Sequence, residues 1–142
     1  MDFDKESQQR ILRVAADKNE GRPTEELDER IVRVLELHPE FDTIWEEGDM
    51  ASIPREINGM IVNPFVHTVL HVIIDRQLQV GDPEYVAAAH TRLTEQGMDS
   101  HEALHAIIAI YANLHFAGTR KSTQFDSLDY ETQVNSLAYK TE

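Results

Sequence analysis

The sequence predicts an all-α protein, a small helical bundle of about five to six helices with no sheet. Two observations carry this. Apolar residues recur at three- and four-residue intervals along most of the 142 residues, with no convincing alternating strand pattern, and Asn63-Pro64 and Asp82-Pro83 look like helix-opening pairs. A chain of this length buries roughly two-thirds of its unfolded surface as one domain. The expected division is therefore a single helical domain over 1–142, with its core at about 24–118 and a C-terminal arm or short helix over 119–142.

Residues 4–18 place Ile11, Leu12, Val14 and Ala15 among charges, and the polar run KNEGRP then breaks the chain. Thr24 is read as the cap of a second helix, whose apolar stripe of Ile31, Val32 and Leu35 reaches about Leu37. Pro39 suits a first helical position, and Phe41, Ile44 and Trp45 form a short stripe that ends near Gly48. Residues 49–62 read as a connection, with Pro54 and Gly59 as punctuation.

Asn63 and Pro64 open a helix that runs to about Val80 and stops at Gly81. Asp82 and Pro83 open the next, to about Gln96, with Gly97 as its terminal glycine. Asp99 or Ser100 caps a third, which is expected to stop near Ala117 and Gly118. Leu128, Val134, Leu137 and Tyr139 suffice for a weaker terminal helix.

Composition removes several classes of function. With no cysteine, disulfides, thiolate metal sites and cysteine nucleophiles are excluded, which leaves histidine and carboxylate as metal ligands. The formal charge of −13 and the lack of any Lys/Arg cluster argue against nucleic acid as a partner. No apolar run approaches the ~20 residues that span a bilayer, so no membrane partner and a soluble, cytoplasmic protein are expected. Residues 61–118 hold six acidic residues, two basic ones and six of the seven histidines, so histidine is concentrated in the expected core.

Two histidine pairs stand out. His67 and His71 share an apolar stripe with Ile74 and Leu78, and His101 and His105 share one with Ile108 and Ala112. At 100° per residue, each pair lies on one helical face about 6 Å apart along the axis, a spacing that can chelate one ion. Short connections force antiparallel neighbours, so these two helices should run the same way with their pairs at one end of the bundle. His67, His71, His101 and His105 are thus candidate ligands for a divalent ion such as zinc, iron, manganese or nickel. His38 and Asp42 repeat the four-residue interval as outer candidates. His90 and His115 are read as structural.

Residues 101–105 also match the zinc-protease pattern H-E-x-x-H, in which Glu102 would be the catalytic base. Asp99 stands two residues before the first His, no later His follows at the extended spacing, and no strand precedes it to hold a peptide. A metal-dependent hydrolase using Glu102 is accordingly the weakest alternative. Asp129 or Glu131 could be a third ligand, but no spacing recommends either. The competing reading of the pairs is a metal-free interaction or oligomerisation module, with a buried histidine cluster and an acidic surface for a basic protein partner or a second copy.

LHPEFDTIWEEGD (37–49), VNPFVHTVLHVIIDRQL (62–78) and DSHEALHAI (99–107) together resemble a bacterial family catalogued as domain of unknown function family 1841. Its most specific part is NPF-x-H-x-x-x-H followed by QL, carried by Asn63, Pro64, Phe65, His67, His71, Gln77 and Leu78. The resemblance implies a small helical bundle in which the paired histidines are a shared pattern. It has His where Asp42 stands here, it does not fix Glu102, and it implies no activity.

Overall fold

The computed structural model describes residues 1–139, which divide into two compact units, Met1–Ile73 and Ile74 onward. Helices dominate both. Helix α1 is Lys5–Asp17, α2 Glu26–Glu36, α3 Pro64–Val80, α4 Glu84–Glu95, α5 Ser100–Lys121 and α6 Ser127–Asn135. Among the described residues, the 3-10 segment Ile44–Ser52, kinked at Gly48 (φ 64°, ψ −130°), brings the count to seven where five to six were expected, beside the short 3-10 turns Lys18–Glu20 and Pro39–Phe41. Within the C-terminal stretch expected as an arm or short helix lies the nine-residue helix α6.

The expectation of no sheet is corrected. Strands β1, Arg55–Ile57, and β2, Met60–Val62, pair antiparallel, with Arg55 opposite Val62, Glu56 opposite Ile61 and Ile57 opposite Met60. Asn58 (φ 52°) and Gly59 (φ 84°) make the turn. Positive φ at both central residues matches the twist of a tight hairpin, and Asn-Gly is the dipeptide that adopts it most readily.

Three helix boundaries also move. Glu25, not Thr24, is the N-cap of α2. Pro83 is the extended N-cap residue of α4 (ψ 145°) rather than its first helical residue. Helix α5 runs through Gly118 to Lys121 and ends on Ser122, which takes the left-handed conformation (φ 54°). Gly118 is needed there for space: a Cβ would stand 3.1 Å from the Thr123 carbonyl oxygen, and the Thr123 N–H donates to the Gly118 carbonyl at 2.9 Å.

In the first unit, α1 packs on α2 and on the Ile44–Ser52 segment. Its core joins Ile11 and Val14, Ile31, Val32, Val34 and Leu35, Phe41, Ile44, Trp45 and Ala51, and Phe65, Val69 and Val72 from the start of α3. Asp28 on α2 is 5% exposed and ties the two helices, accepting from Arg10 Nε at 2.7 Å and from Arg13 Nη2 at 2.9 Å. Burial pushes its carboxyl up, but the hydrogen bonds and positive charges of Arg10 and Arg13 outweigh that and hold its pKa below the ordinary value.

A carboxyl depressed in the folded state stabilises fully above its unfolded pKa, ~3.9, and loses that contribution as pH falls through its lowered folded value. Asp28→Asn is expected to cost about 1–2 kcal/mol at neutral pH, since solvent screens the half-exposed Arg13. Urea unfolding should show the gap between variant and parent narrowing in acid. An equal gap at both pH values would mean that the ion pairs contribute nothing.

In the second unit, α4 packs on α5, and α6 packs on both. Val86, Ala89, Leu93, Ala103, Ile107, Ile108 and Val134 are buried there. Tyr130 is 2% exposed, with its ring 5.4–5.6 Å from those of Phe125, Tyr85 and Tyr111. Its hydroxyl donates to Gln77 Oε1 at 2.8 Å, and burial pushes its pKa well above the usual phenol range. Arg92 holds the C-terminal end of α6, donating to the carbonyls of Val134 and Leu137, each at 3.1 Å. No helix is long and apolar enough to cross a membrane, among the described residues.

Candidate metal centre

The first unit gathers three histidines from two elements. Helix α3 supplies His67 and His71 from its first two turns, so the i, i+4 spacing puts both rings on one face, with centroids 4.7 Å apart. Asn63 sets that start: its Oδ1 accepts the Val66 N–H at 3.2 Å, and Pro64 occupies the first helical position, where its missing N–H costs nothing. The third ring is His38, between the end of α2 and the 3-10 turn Pro39–Phe41. His38 lies 4.4 Å from His71 and 4.8 Å from His67, centroid to centroid. His38 and His71 are only 3% and 2% exposed, and His67 is half-buried.

Hydrogen bonding fixes the chemistry of His38. Its Nδ1 stands 2.8 Å from the Val34 carbonyl oxygen, which can only accept, so Nδ1 carries the proton. That contact orients the ring so that its Nε2 faces the α3 histidines. That nitrogen points at His67 Nε2, 3.1 Å away. In the absence of an ion, the two Nε2 atoms share a hydrogen bond across that gap. Two nitrogens bound tetrahedrally to one zinc at about 2.0–2.1 Å stand about 3.3 Å apart, so the same spacing suits two ligands of one ion. One ring nitrogen from each of His38, His67 and His71 lies within 4.8 Å of the other two.

Aromatic rings wall this cluster. Phe41 stacks on His38 at 5.3 Å and 11°, and meets His67 edge-on at 5.7 Å. In a 3-10 turn residues three apart eclipse, which sets Phe41 beside His38 and turns Asp42 away. Asp42 is exposed, and its Oδ1 pairs with Lys18 Nζ at 2.8 Å. Trp45 packs edge-on to Phe41 at 6.1 Å, and its Nε1 is buried without a hydrogen-bond partner among the described residues.

The second unit carries the other pair. His101 and His105 lie one turn apart at the start of α5, with ring centroids 4.4 Å apart. Asp99 caps that helix, its Oδ2 accepting from the backbone N–H groups of His101 and Glu102. The Glu102 side chain is exposed. His90 Nε2 is 3.1 Å from Ser100 Oγ, and His115 stacks on Tyr111 at 6.0 Å. Asp129 Oδ1 accepts from Gln133 Nε2, and Glu131 is exposed on α6.

The fold and the cluster together define a mostly helical protein with a buried group of imidazoles suited to a metal ion. The chain belongs to the family described as domain of unknown function (DUF1841), whose family model matches residues 4–136. No curated protein and no solved structure matches it.

Proposed function

We propose that the protein is a metal-binding member of its family and holds one divalent ion on His38, His67 and His71, all in the first unit. The observation that carries the proposal is the convergence of three imidazoles, with the His38 ring oriented by the Val34 carbonyl so that its Nε2 faces His67 Nε2 at 3.1 Å. Its fixed orientation provides a ligand-ready nitrogen without reorganisation. An all-imidazole donor set suits zinc, iron or nickel better than manganese, magnesium or calcium, which prefer oxygen.

The same 3.1 Å spacing also supports a second reading, a metal-free cluster in which the His67 and His38 imidazoles share a hydrogen bond. Elemental analysis of untagged protein separates the two. The metal reading expects about one ion per chain, removable by chelator, with the apoprotein taking up cobalt to give visible ligand-field bands. Both signals should disappear in the His67→Ala/His71→Ala double variant. If no ion is found at stoichiometric level, and zinc, iron and nickel leave the thermal midpoint unmoved, the metal-free cluster is the correct reading.

A further inference from the structure

The hairpin of the first unit has no part in the site above, yet its surface is unusual for a connecting segment. Met60 is 69% and Ile61 74% exposed, and Met50 and Ile53, just before the ribbon, are 58% and 48% exposed. Each strand pairs only with the other among the described residues, so the ribbon offers backbone edges that another strand could extend. Exposed apolar edge strands are normally blunted by lysine, proline or a covering element, because they invite pairing. Strand β2 contains no charged residue and no proline, whereas β1 carries Arg55 and Glu56. Ile61 faces outward on the same side as Glu56, its cross-strand partner, while Ile57 and Val62 on the other face pack on the core.

Charge indicates what this edge would accept. Residues 46–61 carry Glu46, Glu47, Asp49 and Glu56 against a single cation, Arg55. Arg55 is already committed, donating to both Glu47 carboxylate oxygens at 2.8 and 3.0 Å and to the Met50 carbonyl at 2.7 Å. Glu46 and Glu56 are exposed and join no ion pair among the described residues. A second copy of this chain, at −13, would bring more negative charge to an already acidic rim, as would an anionic membrane.

We propose that the ribbon Arg55–Val62, with Met50 and Ile53, is a docking edge for an extended segment of another protein whose apolar residues are flanked by lysine or arginine. Backbone pairing along the edge supplies affinity and the apolar and charged side chains supply selectivity, as in other strand-addition complexes.

The test is selection of displayed random dodecapeptides on the full-length protein, with counter-selection on Met60→Ser/Ile61→Ser. Both changes lie on exposed side chains, and circular dichroism checks that the variant is folded. Enrichment of peptides with alternating apolar and basic residues, binding at least tenfold more weakly to the variant and more weakly as salt rises, supports the proposal. No enrichment, enriched peptides without basic residues, or equal binding to the variant overturns it. Concentration-dependent dimers abolished by the same variant, or capture on neutral phosphatidylcholine vesicles, would assign the edge to a second copy or to a lipid surface and likewise overturn it.

Discussion

His38→Ala is expected to weaken zinc binding by at least about 100-fold, because even partners outside the ligand shell cost up to that factor when removed. His38 is the ring whose orientation is fixed in advance by the Val34 carbonyl, and it lies within 5 Å of both α3 histidines. Its loss removes a donor and leaves a gap between Phe41 and the α3 rings. The apoprotein should also lose about 1–3 kcal/mol, from the gap left in the core and the lost hydrogen bond to the Val34 carbonyl. Competition titration against a zinc indicator, with chelator-stripped unfolding curves beside it, distinguishes these effects. Unchanged affinity in a folded His38→Ala protein would remove His38 from the ligand set.

Phe41→Ala should produce the reverse pattern, a large loss of stability first and a loss of ion binding second. Phe41 is 3% exposed, belongs to the core of the first unit, and touches His38, His67 and Trp45 with one ring. Truncating a buried phenylalanine costs about 3–5 kcal/mol through lost burial and the cavity left behind. Urea unfolding in chelator measures that term, and the zinc titration then reports how far His38 has lost its orientation. Phe41→Leu, which keeps most of the volume, should recover most of both. A stability loss below about 1 kcal/mol for Phe41→Ala would place the ring outside the cooperative core.

Most of the helices could be read from the sequence because their signals are local. Asn63-Pro64 opens α3, Asp99 caps α5 and Gly81 ends α3 in a left-handed turn (φ 72°), as propensity and capping chemistry dictate. The shared face of His67 and His71 followed from helical geometry alone. The hairpin was missed although Asn58-Gly59 is a strong turn signal, because three-residue strands are too short to show alternation. The long reach of α5 was missed because Gly118 serves close packing against Thr123 rather than termination.

The site was legible on α3 and less so at residue 38. Reading His38 and Asp42 as one face assumed an α-helix, whereas Pro39–Phe41 is a 3-10 turn in which the i+3 residue, Phe41, is the neighbour. The proximity of residue 38 to residues 67 and 71 is tertiary, set by the packing of α2 and α3 side chains into one core. No spacing along the chain encodes it.

Trp45 gives the histidine cluster an optical consequence. It is the single tryptophan of the chain, and its indole is nearly enclosed, with an N–H that makes no hydrogen bond among the described residues and with Phe41 between it and the imidazoles. Emission from such a ring is short in wavelength, and an open-shell ion such as cobalt or nickel at the cluster would drain it. The protein thus carries an intrinsic dye beside the proposed centre, so metal uptake and release can be followed without any attached label.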